Sequence, residues 1–76
     1  MEIKLCDYRH FKGDLYTVVT LGNHSETREP MVIYRSKATG EVWVRPLAMW
    51  FDWVQYPDGT KGPRFVEVVE IFEDKV

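Results

Sequence analysis

Residues 31–46 read Met31-Val32-Ile33-Tyr34-Arg35-Ser36-Lys37-Ala38-Thr39-Gly40-Glu41-Val42-Trp43-Val44-Arg45-Pro46, and this stretch decides the fold. Two runs, 31–36 and 41–45, are dominated by β-branched and aromatic side chains that suit a pleated, half-buried surface. Between them, Lys37-Ala38-Thr39-Gly40 predicts a type I turn closed by Gly40 in the left-handed region, a three-residue hairpin loop with a bulge. Lys37 then pairs with Glu41. Counting outward sets Arg35 opposite Trp43, Tyr34 opposite Val44 and Ile33 opposite Arg45. In that register Val32, Tyr34, Val42 and Val44 share the core face, while Ile33, Arg35, Trp43 and Arg45 share the other. A loop of two or four residues would slip the count by one and mix the sets.

Upstream, Leu5–Phe11 and Leu15–Leu21 flank Lys12-Gly13-Asp14, and Gly-Asp between β-prone runs predicts a tight hairpin. The second run is apolar on both parities, as in a strand curled in a barrel, and it ends at Gly22-Asn23. A polar loop, 24–30, follows. Downstream, Pro46 lacks the N–H a sheet ladder needs. Leu47, Trp50, Phe51 and Val54 then fall at helical spacing, predicting one or two helical turns with Pro46 at the first position. Residues 52–56 restart as a strand, and Pro57-Asp58-Gly59-Thr60-Lys61-Gly62-Pro63 is a strong turn signal. In the tail, Phe65, Val68, Val69 and Phe72 have helical spacing, but the valine content favours a strand through about residue 71 before an acidic end.

Seventy-six residues leave room for one core. Apolar residues make up 45% and charged residues 29%, too apolar for disorder. The net charge of −2 lacks the basic excess of a nucleic-acid binder. No apolar run approaches the roughly 18 residues of a membrane helix, and the charged opening Met1-Glu2-Ile3-Lys4 is unlike a signal peptide. Cys6 alone cannot form an internal disulfide, so a cytoplasmic domain held together by burial is expected. Aromatic residues, 14% of the chain, are spread along it as several short strands sharing a core would require. The expected fold is a single all-β domain over 1–76, a small five- to six-stranded, partly open barrel of SH3-like type with a short helical turn after Pro46. The alternative is a curved antiparallel sheet that completes its core by dimerising, with Trp50, Trp53 and Phe72 supplying a self-association patch.

Five motifs occur together in order: Tyr-Arg-His-Phe-Lys-Gly at 8–13, His-Ser-Glu-Thr at 24–27, Val-Ile-Tyr-Arg at 32–35, Trp-Val-Arg-Pro at 43–46, and Met49 with Phe51. The chain thereby resembles the bacterial family called domain of unknown function 1653 over about residues 8–66. It departs from that pattern by a longer hydrophobic and acidic tail after Phe65 and by Trp50 inserted between the Met and Phe positions. The resemblance implies a small β-rich domain, sometimes attached to other bacterial proteins, and no established chemistry.

The predicted register gathers Arg35, Trp43 and Arg45 on one exposed face. Guanidinium groups stack on indole, remain charged, and offer a fork suited to carboxylates and phosphates. The trio is thus a candidate platform for an anionic ligand with an apolar part, or for a peptide. The plainer reading has both arginines paired with Glu26, Glu29 or Glu41 as cover over Trp43. His24, Ser25, Glu26 and Thr27 carry triad chemistry by type, but side chains within one tetrapeptide diverge. A turn in which Ser25 and Thr27 bond local backbone N–H groups is the simpler account, with polar contacts to a platform ligand as the functional version. Cys6, His10 and His24 are zinc-type ligands without metal-site spacing, since Cys6 and His10 on one strand would lie about 13 Å apart. Alternating aromatic and basic residues in Tyr8-Arg9-His10-Phe11-Lys12 could stack on RNA, but fit the charged edge of a strand better. With no phosphate loop, nucleotide fingerprint or paired carboxylates, no catalysis, cofactor or metal is expected. The expected function is a non-catalytic binding module for an unknown anionic or peptide ligand or protein partner. A homodimeric assembly domain is the alternative, RNA contact a weaker one, and no membrane association is expected.

Overall fold

The computed structural model describes residues 3–68. Its elements are β1 (Asp7–His10), β2 (Leu15–Asn23), β3 (Pro30–Ser36), β4 (Val42–Pro46), α1 (Leu47–Trp50), β5 (Trp53–Gln55), β6 (Lys61–Pro63) and β7 (Phe65–Glu67). Five strands form an antiparallel sheet in the order β4-β3-β2-β1-β7, and β5 pairs with β6 in a second sheet. The fold is all-β with one helical turn after Pro46, as expected. The described strands number seven, and the larger sheet stays open at β4 and β7 without closing into a barrel. Phe65–Glu67 is a strand, whereas the tail expected to run on to residue 71, and Phe72, lie outside the described residues.

Alternation along β3 puts Val32, Tyr34 and Ser36 on the inner face, all buried, and leaves Arg35 exposed on the outer one. Tyr8 and Val18 join them from β1 and β2. In β2 the apolar residues of both parities have a local cause. Val19 is a bulge residue skipped between the Val18↔Tyr34 and Thr20↔Ile33 pairs, so Leu21 falls opposite Val32. The bulge, not closure of a barrel, explains the Val18-Val19 pair.

Pro46 ends the sheet and α1 crosses back over the inner face, burying Leu47 and Trp50. The Trp50 ring is 1% exposed and stacks on Phe65 at 3.9 Å with an interplanar angle of 1°. Tyr8 and Tyr34 meet Trp50 edge-on at 5.3 and 5.0 Å. Trp50 is therefore the centre of the core, not part of the self-association patch expected for it. Trp53 does lie outside, 70% exposed.

Two loop designs connect the strands. Phe11-Lys12-Gly13 and Pro57-Asp58-Gly59 are three-residue loops ending in a left-handed glycine. In the first, the His10 N–H donates to Asp14 O at 2.8 Å and the Gly13 N–H to His10 O at 2.7 Å. In the second, Tyr56 and Gly59 make the equivalent bonds to Thr60 O and Tyr56 O. Gly40 does not close such a loop. Ser36 N–H donates to Glu41 O, so Lys37-Ala38-Thr39-Gly40 all lie in a four-residue loop. The cause is the buried Ser36 hydroxyl, which accepts from the Ala38 and Thr39 N–H groups at 3.2 and 3.1 Å as a helix N-cap does. Gly40 N–H then reaches Ser36 O, and Thr39 Oγ1 accepts from Glu41 N–H. Gly40 is left-handed as expected, at φ 80°, but the loop is one residue longer.

The β2–β3 loop repeats this design bond for bond. His24 N–H donates to Glu29 O, Arg28 N–H to His24 O, and Glu29 N–H to Thr27 Oγ1. The imidazole Nδ1 of His24 replaces the serine hydroxyl, accepting from Glu26 and Thr27 N–H at 3.1 and 3.3 Å. Arg28, at φ 65°, stands where Gly40 stands in the other loop.

Three substitutions test this account by denaturant unfolding. Arg28→Gly relieves a left-handed non-glycine residue and raises stability by up to about 1 kcal/mol. Ser36→Ala removes a buried cap and lowers it by about 1–2 kcal/mol; an unchanged midpoint would mean that the hydroxyl does not hold the loop. Trp50→Ala lowers stability by about 3–5 kcal/mol, comparable to the whole stability of so small a domain, so loss of cooperative unfolding is the expected result.

Candidate functional site

The extra loop residue shifts β4 against β3 by one position, so the expected pairs are corrected. Arg35 pairs with Val42, Tyr34 with Trp43, Ile33 with Val44 and Val32 with Arg45. Directly opposed residues of an antiparallel pair share a face. Trp43 and Arg45 therefore lie on the inner side with Tyr34 and Val32, while Arg35 lies on the outer side with Val42 and Val44. The Arg35–Trp43–Arg45 platform is not formed. Val42 and Val44, expected in the core, are 58% and 57% exposed. Trp43 remains half-exposed at the rim of the inner face. Neither Arg35 nor Arg45 is ion-paired among the described residues, so the expected cover of Glu26, Glu29 or Glu41 is also missing.

His24, Ser25, Glu26 and Thr27 form the capped loop described above. His24 and Thr27 spend their acceptors on backbone N–H groups, so of the two hydroxyls expected to bond the turn Thr27 does, and the other cap is the His24 imidazole instead of Ser25. A hollow of about 290 Å³ lies beside this loop, lined by Glu29, Pro30, Leu47 and Ala48, with a carboxylate as its charged group. Among the described residues no three His, Cys, Asp or Glu side chains gather as metal ligands, Cys6, His10 and His24 included.

A different group of cations does come together, around His10. The pairing His10↔Phe65 between β1 and β7 sets these rings 5.1 Å apart, and Phe11 lies 4.5 Å from His10. Arg45 reaches across the inner face to place its guanidinium 5.8 Å from the Phe65 ring. Arg64 and Lys12 each lie 5.8 Å from the Phe11 ring, whose far neighbour is Tyr56, stacked at 6.5 Å. The result is a row of neighbouring rings, Phe65, His10, Phe11 and Tyr56, with one cation at Phe65 and two at Phe11. Arg64 is fixed there by its backbone: its N–H donates to Asp52 O and its carbonyl accepts from Phe11 N–H. This joins the two sheets.

Electrostatics and burial mark the row. Burial first, then the charges of Arg64, Lys12 and Arg45, hold the His10 imidazole below its ordinary 6.5, with Asp14 opposing. Its Nδ1 accepts the Lys12 N–H at 3.2 Å, which in the neutral ring leaves Nε2 as the donor. The Nε atoms of Arg45 and Arg64 are buried without a hydrogen-bond partner. No carboxylate pairs with Arg45, Arg64 or Lys12 among the described residues. Asp7, by contrast, is fully engaged on the outer face. Lys37 at 2.8 Å and then Thr17 Oγ1 hold its carboxyl below the usual range. Beside the row, Arg9, His10, Phe11, Gly13, Tyr56 and Val66 line a cleft of about 220 Å³. The alternation in Tyr8-Arg9-His10-Phe11-Lys12 carries part of this site, and β1 is an inner strand between β2 and β7, not the charged edge expected from the sequence. Arg64 had no local signal, because only the fold-back of residues 57–63 brings it to Phe11.

No curated protein matches the chain. A crystal structure of a protein belonging to DUF1653 from Bordetella bronchiseptica is similar to it, with 30% sequence identity, a TM-score of 0.78 and 96% of each chain covered. The sequence pattern of the family described as "Protein of unknown function (DUF1653)" matches residues 6–67. The resemblance carried by the spaced motifs thus extends to the fold, and the chain belongs to the DUF1653 family.

Proposed function

We propose that this domain is a non-catalytic binding module for an anionic ligand, and that the ligand sits at the Arg45–Phe65–His10–Phe11–Arg64 row. One observation carries the reading: three cations rest on ring faces around a half-buried histidine with no carboxylate partner among the described residues. A guanidinium against a ring keeps its N–H edge free, and that edge suits a planar or tetrahedral anion. The rings and the adjoining cleft give an apolar surface for the uncharged part of such a ligand. Engagement of His10 Nδ1 by backbone leaves the ring one N–H to offer, which favours holding a ligand over shuttling a proton.

Sulfate is a suitable probe because its charge is constant across the relevant pH range. Titration followed by amide chemical shifts is expected to move resonances of residues 10–12 and 64–65. Arg64→Gln and Arg45→Gln each weaken sulfate binding by about tenfold, as loss of a charge-assisted hydrogen bond requires. Arg35→Gln, on the opposite face, leaves it unchanged. Equal effects from all three, or no shifts at the row, would overturn the assignment.

The lowered affinity of His10 for protons fixes the pH dependence. The fold favours neutral imidazole, so this contribution to stability is full above 6.5 and is lost as pH falls below it. Binding should respond in the opposite sense. Sulfate binds more tightly as pH falls from about 7.5 to about 5.5, because a bound anion favours the charged ring. His10→Gln abolishes this slope; a slope retained in that variant would place the titrating group elsewhere.

A further inference from the structure

The cleft of about 220 Å³ beside the row has a character of its own, set by two rings. Phe11 and Tyr56 both line it and are half-buried, with planes 18° apart and centroids 6.5 Å apart. Carbon atoms in contact sit about 3.5–4.0 Å apart, so near-parallel rings with this centroid distance are either spaced or slid past each other. In both cases neither ring covers the other's face, and flat apolar surface is left on each.

Tyr56 is held in place by the protein alone. Its hydroxyl donates to the Pro63 carbonyl at 2.8 Å, and its ring lies so close over Gly62 that a Cβ there would overlap it. A wall fixed in advance costs a ligand little ordering on binding. Gly13, at φ 105°, brings backbone and no side chain to the same cleft. Arg9 and His10 complete its charge, the Arg9 guanidinium being anchored by a 3.2 Å bond to the Gly13 carbonyl. Among the described residues no carboxylate lines the cleft. Phe11 belongs to the cleft and to the row at once, since Arg64 and Lys12 each lie 5.8 Å from its ring. A charged group at those cations and a flat group in the cleft therefore need only a short link. The volume is below the roughly 300–1,000 Å³ that encloses a drug-sized ligand, which leaves room for a single ring.

The geometry points to a small aromatic anion as the ligand, its charged group at Arg64 and Lys12 and its ring in the cleft against Phe11 and Tyr56. This rests on the anion site proposed above and names the uncharged half of what it holds. An aromatic ring suits the cleft better than an aliphatic one, because it is flat and its π-face attracts a guanidinium.

Methyl, cyclohexyl and phenyl phosphate test this with the full chain. They share a head group and are dianions at pH about 7.5, since the second phosphate ionisation lies at about 6. Affinities read from amide shifts are expected to rise in that order, phenyl exceeding methyl by about tenfold and cyclohexyl by about threefold. Tyr56→Leu keeps an apolar side chain, removes the ring, and brings phenyl and methyl phosphate within about twofold of each other. Arg64→Gln weakens both alike and leaves their ratio standing. In the wild type, nuclear Overhauser contacts from the phenyl protons fall on Phe11 and Tyr56; if Tyr56→Leu fails to fold, these contacts decide. Equal affinity for the three phosphates, with shifts at residues 10–12 and 64–65, overturns this inference and leaves the anion site intact. A phenyl preference that survives Tyr56→Leu, or cyclohexyl phosphate bound as tightly as phenyl, overturns it as well. Binding of none of the three removes the anion site and this inference together.

Discussion

Trp50 against Phe65 is the contact on which the rest of this small fold depends. α1 has four residues, too few to hold a helix by its own hydrogen bonds. Its place on the sheet therefore comes from burying Leu47 and Trp50. Full burial of such a ring contributes about 2–3 kcal/mol, and edge-on contacts with Tyr8 and Tyr34 add to it. The indole N–H is buried without a partner, which costs about 1–3 kcal/mol. That the ring stays inside shows that stacking outweighs the unmade hydrogen bond. Phe65 opens β7, the strand that pairs with β1 and brings Arg64 beside Phe11. One ring pair thus fastens the helical turn, the last described strand and the second sheet to the same core.

Much of this architecture was legible in residue pattern, and what was missed has a common cause. The strands around 31–36 and 42–46, the break at Pro46 and the left-handed Gly40 follow from β-propensity, a missing donor and a missing Cβ. Those are properties of single residues. The loop length is set instead by one buried hydroxyl, Ser36, competing for backbone donors, and periodicity does not register such a bond. The same holds for His24, whose imidazole caps a loop of identical construction while resembling a reactive side chain in sequence. Tyr34, Val32 and Phe65 in the core follow from alternation. Trp50 as their centre does not, because helical spacing over a single turn fails to distinguish a core ring from an exposed one.

The candidate site was partly legible for the same reason. Arg45 and the aromatic–basic run at 8–12 were visible as residue types suited to anions and rings. Their assembly was not, since it joins β1, β4 and the segment between β6 and β7. Arg35 shows the converse. It has the right chemistry, and a single residue of loop length puts it on the wrong side of the sheet.

Loop, register and charge are one chain of cause here. Were Ser36 unable to cap, the shorter loop would turn Arg45 outward and Arg35 would still face solvent. The cation over Phe65 would be lost, and His10 would keep only Arg64 and Lys12 beside it. A hydroxyl at the end of β3 therefore governs a surface it does not touch, the cationic row on the inner face. Its burial beside the inner positions Tyr34 and Val32 shields those two backbone bonds from competition by water.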